Sequence, residues 1–409
     1  MGKQESRIGL NNLDKSNWKT YKFENIAQKV SKTIKPEEAE VSVYVGLEHI
    51  DAEDIHIRRK GVPADVKGGK LKCSPGDVIF GKRRAYQRKA AIVDFEGICS
   101  AHAFVFRAKP KVLLPELFPF FLHSDQFMHR MVDISVGGLS PTINWGDLKH
   151  QEFLLPPLDK QAELAELLWA MDTVIEREKK VLEHLEYQSK TYLNKSFRYG
   201  AFLNQKSKYT SFGPIPKNWK LKKLDELGKF KNGINKDKDQ FGFGRPFVNL
   251  MDAFGNKDLF FQEFDLVNST EEDLRLFNLT KGDVLFIRSS VKPSGVGLTT
   301  LIQEDFPSTV YSGFIIRFRT ENDELTHAFK KYCFYEERFR YSLIRKSTVS
   351  ANTNINQESL KKLVLPVPPI EEQKEFNRIL SQHETTYKKM STKISSSKAL
   401  QKSLINQVF

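Results

Sequence analysis

The sequence predicts an α+β protein: two β-rich modules in tandem, each followed by a long helix. The two helices are expected to form an intramolecular antiparallel coiled coil, which gives the chain a pseudo-two-fold internal repeat. Three observations carry this. The two halves share an ordered series of short motifs, each half ends in a sustained heptad pattern, and the segments between the heptads are short β-rich runs broken by turns.

The repeat comes first. Near the start of each half stands a tryptophan in a similar setting, SNWKTYKFENIA around Trp18 and KNWKLKKLDELG around Trp219. A Gly-Asp pair then opens a strand-like run, GDVIF at 76–80 and GDVLF at 282–286, and each run leads into a polar, basic loop. An Ile-Asn pair follows (Ile143-Asn144 and Ile355-Asn356), and then LKHQEFLLPPLDKQ against LKKLVLPVPPIEEQ. The offset between copies grows from 201 at the tryptophans (18 and 219) to 206 at Gly-Asp (76 and 282). It reaches 212 at Ile-Asn (143 and 355) and stays there. Two copies with different loop lengths produce that drift. The chain is a tandem duplication.

The helices follow the two Pro-Pro pairs, 156–157 and 368–369, which stop a strand and favour a helix start. In the first, positions spaced alternately four and three read Leu164, Leu168, Met171, Ile175, Glu178, Leu182, Leu185, Ser189, Tyr192 and Ser196. In the second they read Phe376, Leu380, His383, Tyr387, Met390, Ile394, Ser397, Gln401, Leu404 and Val408, each 212 after its counterpart. A 3.5-residue period held this long argues for a coiled coil. Pairing the two helices within the chain buries both seams. Each helix of about 40 residues is roughly 60 Å long. Glu178, His383, Ser397 and Gln401 interrupt the apolar seam and are expected to fix its register, which makes His383 a seam residue rather than a metal ligand.

The predicted organisation is therefore a first module over 1–157, a central helix over 158–200, a linker and second module over 201–369, and a C-terminal helix over 370–409. The stretch 204–217, with Gly213, Pro214 and Pro216, marks the linker. Within the modules VSVYVGL, GDVIF, HAFVFRA, GDVLFIR and SGFIIRFR read as strands. VLLPELFPFFLHSDQFMHRMVDI and LTHAFKKYCFYEERFRYSLI read as amphipathic helices.

Composition narrows the function. In 409 residues, 64 Lys and Arg stand against 51 Asp and Glu, a net charge of +13 that favours a polyanionic partner through counterion release. The cysteines, Cys73, Cys99 and Cys333, are scattered, so neither a disulfide framework nor a zinc site is expected. The opening segment is polar, without the apolar core of a signal peptide, and no apolar run approaches membrane-spanning length. A cytoplasmic protein with no membrane partner is the expectation. No catalytic signature is complete. Gly68-Gly69-Lys70 is followed by Leu71 and does not make a P-loop, and the FGFG and SGVG glycines read as turns. HExxH and GxSxG are absent, and leucine and valine precede the Pro-Pro pairs where an amino-methyltransferase needs Asn or Asp. No catalytic residue, no bound metal and no cofactor are assigned to the chain.

The basic loops are the candidate nucleic-acid contacts. The first, GKRRAYQRK, holds Lys82, Arg83, Arg84, Tyr86, Gln87, Arg88 and Lys89; its counterpart, IRSSVKPSG, holds Arg288, Ser289, Ser290 and Lys292. Arginine grips guanine O6 and N7, Gln or Asn does the same for adenine, and Lys or Ser holds phosphate. A second set is Ser140, Thr142 and Asn144 in GGLSPTINW, matched by Arg345, Lys346, Ser347, Thr348, Asn352 and Asn354 in RKSTVSANTNIN. A solvated basic hairpin accounts equally well for the first set, and turn or cap chemistry for the second. The copies agree in framework and differ in these loops, as a duplicated reader of two different half-sequences would.

Taken over its whole length, NW…GDV[IL]F…[IL]N…LPxPPxxxQ and a heptad helix, twice, the chain resembles the specificity subunit of type I restriction–modification systems. The resemblance implies two target recognition domains, each reading one half of a bipartite, asymmetric site in the major groove of double-stranded DNA. It implies two modification (methyltransferase) subunits docked mainly on the helices, supplying S-adenosylmethionine and adenine-N6 methylation. Restriction subunits would add translocation and cleavage with ATP and Mg. A spacer of roughly 60 Å would hold two readers about one duplex turn apart. The first copy departs in having PPLDKQ where the second has PPIEEQ, which bears on docking. Three alternatives stand beside this: a coiled-coil scaffold whose modules bind proteins, a methyltransferase or nuclease in its own right, and a specificity subunit of a methyltransferase-only or other phage-defence complex.

Overall fold

The structure is a computed structural model and describes residues 13–409; most of the polar opening segment lies outside the described residues. The chain divides into two compact units, one of Met1–Lys180 with Met390–Phe409 and the other of Val181–Lys389. Each unit thus contains one β-rich module, the helix half that follows it, and a half of the other long helix. The long helices span Leu158–Tyr199 and Ile370–Val408.

In the first unit, a four-stranded antiparallel sheet runs in the order Ala27–Val30, Ala103–Ala108, Val78–Gly81, Ala90–Ile92. A second sheet orders Thr33–Ile34, Lys70–Cys73, Gly97–Cys99 and Tyr44–Val45, its last pair parallel. Lys19–Lys22 pairs with Glu152–Leu155 and brings the start of the module to its exit. In the second unit the same central order recurs as Gly228–Asn232, Ile315–Thr320, Val284–Ile287 and Thr299–Ile302, extended by Asp258–Leu259. Lys220–Lys223 pairs with Val364–Val367 as the exit strand.

The shared motifs have shared physical causes. Gly76 and Gly282 adopt φ of +87° and +90°, which a residue with a Cβ adopts at a cost. The aspartates after them are fully buried, and each meets an arginine of the neighbouring strand through two hydrogen bonds. Arg107 Nε and Nη2 donate to Asp77 at 2.7 and 2.9 Å, and Arg319 Nε and Nη2 donate to Asp283 at 2.7 and 2.7 Å. The glutamine after Pro-Pro is also buried in both copies. Gln161 donates to the carbonyls of Val112 and Pro156 and accepts from the Leu114 amide; Gln373 donates to those of Glu324 and Pro368 and accepts from Thr326. That glutamine ties the helix start to the module.

The coiled coil is antiparallel within each unit. Residue numbers fall on one helix as they rise on the other: Gln401 Nε2 donates to the Leu168 carbonyl at 3.2 Å, Ser397 Oγ to Glu178 at 3.1 Å, and Ser189 Oγ lies 3.0 Å from His383 Nδ1. Every seam position is buried or half-buried: Leu164, Leu168, Ile175, Phe376, Leu380, Ile394 and Leu404 are buried, and Met171, Leu182, Leu185, Tyr192, Tyr387 and Met390 half-buried. Each polar intrusion thus finds a polar partner on the facing helix, and Glu178 also meets Lys393 at 3.0 Å. The helix tails close the module cores, Phe409 packing on Phe121 (ring centroids 5.2 Å) and Phe197 on Phe329 (6.2 Å).

Two expectations are corrected. Each run expected as one amphipathic helix is broken: the first gives Phe118–His123 and Asp125–Asp133, restarted where Ser124 caps Phe127, and the second gives His327–Lys330 and Glu337–Arg345, restarted where Glu336 caps Phe339. VSVYVGL contributes only a two-residue strand, Tyr44–Val45. The departure PPLDKQ has a visible consequence. In the second copy, Glu372 accepts from Trp219 Nε1 at 3.1 Å and from the Ala201 amide at 3.1 Å; in the first, Lys160 pairs with Glu163 on the surface and Trp18 is only half-buried.

Candidate nucleic-acid interface

In each module the strand opened by Gly-Asp delivers its last residues to the segment preceding Ile-Asn. The Ile143 amide donates to the Lys82 carbonyl at 2.9 Å, and the Ile355 amide to the Arg288 carbonyl at 3.0 Å. The two candidate sets of each module, distant in sequence, therefore form one surface.

In the first module the Arg84 amide donates to the Pro141 carbonyl at 2.7 Å and its Nε to Ser140 Oγ at 3.1 Å, while Arg83 bridges Thr142. Arg84 and Arg88 flank a short turn, Ala85–Gln87, both with left-handed φ (57° and 51°). Arg83, Arg84, Tyr86 and Asn144 are exposed; Lys82, Gln87, Lys89, Ser140 and Thr142 are half-buried. Lys82 Nζ lies 5.3 Å from the Phe104 ring; burial, then the nearby Lys29, push its pKa below the usual lysine range. Lys89 donates to the Leu47 carbonyl. The Arg88 guanidinium is held by Asp125 and by Glu53 (3.1 Å), engagements that Arg83 and Arg84 do not share.

In the second module Ser289–Ser290, Thr353–Asn354 and Thr348–Val349 form a small three-stranded sheet that joins the two sets by main-chain pairing. Lys292, Arg345, Lys346, Thr348 and Asn352 are exposed, and Arg288, Ser289, Ser290, Ser347 and Asn354 half-buried. Several of the hydroxyl and amide side chains serve the turn: Ser347 Oγ donates to the Leu343 carbonyl, Asn354 Nδ2 to Asn352 and Thr142 Oγ1 to Ser140. Arg288 Nη1 donates to the Gly313 carbonyl at 3.1 Å.

The geometry adds residues that sequence reasoning passed over. Lys29 Nζ approaches the rings of Phe104 (5.8 Å) and Trp145 (6.0 Å), next to Lys82. His102 and Phe314 sit at the turns beside Lys82 and Arg288. Their signal in the sequence is the repeat itself, since Ser100-Ala-His102 and Ser312-Gly-Phe314 fall at the common offset of 212.

Among the described residues one cluster has metal-ligand types, His56, Asp172 and Glu176. His56 Nε2 lies 2.9 Å from Asp172, which raises its pKa, and Arg58 grips Glu176 through two bonds of 2.6 and 2.7 Å. The cations there neutralise the carboxylates, and the cluster serves as an ion-pair clasp between a loop and the first long helix. The three cysteines are free and buried, and no described helix is long and apolar enough to cross a membrane.

Fold and surface together define a tandem-module coiled-coil protein with a different cationic surface on each copy. The chain belongs to the family of the type I restriction modification DNA specificity domain, which matches residues 15–187 and again 216–396. The type I restriction enzyme EcoKI specificity subunit of Escherichia coli K12 is 23% identical over 331 residues, 78% of this chain and 70% of that protein. The MjaVIII specificity subunit of Methanocaldococcus jannaschii is 26% identical over 234 residues, 54% of this chain and 52% of that protein, so the chain spans about half the length of that relative. A structure from a study of complex assembly in the type I R-M system shares the fold at TM-score 0.61 and 20% identity, covering 96% of this chain and 97% of that one. The S subunit of a type I system from M. genitalium does so at 0.51 and 14%, covering 96% of each.

Proposed function

We propose that this chain is the DNA sequence-specificity subunit of a type I restriction–modification complex and performs no chemistry itself. Residues 1–157 and 201–369 act as target recognition domains, each reading one half of a bipartite, asymmetric site. The helices at 158–200 and 370–409 act as spacers on which two methyltransferase subunits dock. S-adenosylmethionine is bound on those subunits, and ATP and Mg on restriction subunits, with the whole complex working in the cytoplasm.

The observation that carries this reading is the pairing of a repeated frame with loops that differ between the copies. Asp77 and Asp283, Gln161 and Gln373, and the Lys82–Ile143 and Arg288–Ile355 main-chain bonds repeat, whereas the side chains they present do not. The exposed cations Arg83, Arg84, Lys292, Arg345 and Lys346 suit a phosphate backbone. The test is binding of duplex DNA at a series of salt concentrations, with and without the methyltransferase subunits. The chain alone is expected to bind weakly, with log K falling by about 0.9 per neutralised phosphate per tenfold rise in salt. The methyltransferase adds specificity for one sequence. Salt-independent binding contradicts the electrostatic part.

A further inference from the structure

The two modules hold one residue in the same frame and give it different chemistry. In the first, Gly81 lies opposite Ala103 at the end of the ladder, so the next pair outward is Lys82 and His102. In the second, Ile287 lies opposite Ile315, and the next pair is Arg288 and Phe314, with the Arg288 amide donating to the Phe314 carbonyl at 2.9 Å. The turns are fixed alike: Ser100 Oγ accepts from the His102 amide at 3.2 Å, and Ser312 Oγ from the Phe314 amide at 3.3 Å. Directly opposed residues of an antiparallel pair project from one face about 5 Å apart. Each module therefore sets a cation of the candidate surface beside one turn residue, a histidine in one copy and a phenylalanine in the other.

Both turn residues are exposed, Phe314 by 56%. A lone exposed phenylalanine is ordinary, but the surroundings of this one are specific. Its partner across the ladder is Arg288, which leads directly into the loop of Ser289, Ser290 and Lys292. An apolar ring beside Arg288, at the root of a loop that carries Ser289, Ser290 and Lys292, matches the major-groove edge of thymine, a methyl group beside an acceptor oxygen with phosphates nearby.

We propose that Phe314 contacts the C5-methyl group of a thymine in the half-site read by the second module, and that His102 hydrogen-bonds a base edge at the matching place in the other half-site. This rests on the specificity-subunit reading. The test uses the full chain with its methyltransferase subunits, after methylation sequencing has given the motif. Each thymine of the second half-site is replaced singly by deoxyuridine, which deletes only the methyl group. One such replacement is expected to weaken binding about fourfold, the worth of one buried methyl. The Phe314→Ser complex should lose that sensitivity while still binding, and His102→Ala should relax one base pair of the other half only. Tolerance of deoxyuridine at every position, a sensitivity that survives in Phe314→Ser, or a half-site without thymine overturns the inference while leaving the specificity reading intact. A wild-type complex with no bipartite motif removes the reading itself.

Discussion

The buried polar residues Asp77 and Asp283, and Gln161 and Gln373, repeat between the copies together with their hydrogen-bond partners. Gln373 satisfies three main-chain groups at the helix start, so Gln373→Ala should destabilise the protein by about 2–3 kcal/mol in urea unfolding, and Gln161→Ala by a similar amount. A cost near zero for both would show that the motif is not structural. The clasp on the first helix carries a pH signature. The Arg58 side chain first, then Lys179, hold the Glu176 carboxyl at about 2, against 4.5 ordinarily. The folded-state value is depressed, so its contribution is present above about pH 4.5 and is lost as the pH falls toward 2. Glu176→Gln should cost about 1 kcal/mol at pH 7, after allowing for solvent screening, and almost nothing well below pH 2; an equal loss at both would remove the ion pair from the explanation. Residue types alone revealed the candidate cations but not their engagements. Arg88 and Arg84 sit four apart in one basic run, yet Asp125 and Glu53 claim the first while the second reaches only Ser140. Asp125 lies 37 residues away from Arg88, and nothing in the local pattern announces it.

The long helices were legible because a heptad is a local pattern: 3.5-residue spacing needs no knowledge of the rest of the chain, and every seam position is buried or half-buried. Their antiparallel pairing is fixed by the polar positions, since Glu178 meets Ser397 and Lys393, and Ser189 meets His383. Ile175 is 3% exposed, so Ile175→Glu buries an unpaired carboxylate and should cost more than about 3 kcal/mol, lowering the melting temperature and, on the proposed function, preventing assembly with a methyltransferase partner. Unchanged assembly would refute the seam. The same change at Met171, half-buried, should act in the same direction and less strongly. The modules were less legible. Their helices are cut by the caps at Ser124 and Glu336, which periodicity alone does not see, and the parallel pair of Tyr44–Val45 with Gly97–Cys99 joins segments more than fifty residues apart.

A duplicated chain makes a modular prediction. Each copy contains its own frame, its own joined loops and its own buried aspartate and glutamine, so recognition by one copy should not depend on the bases read by the other. Exchanging residues 208–369 for the corresponding module of another family member should change one half of the methylated site and leave the other half and the spacing unaltered. The repeat was readable from the ordered motifs, Trp18 and Trp219 through Ile143 and Ile355, whereas the pairing of Lys82 with His102 and of Arg288 with Phe314 needed the strand register. The most direct measurement is methylation sequencing of a methylation-free host that carries the proposed methyltransferase partner, with and without the chain. A bipartite motif with methylated adenines that disappears when this chain is removed is the predicted result. Methylation that persists unchanged without the chain would contradict a specificity role.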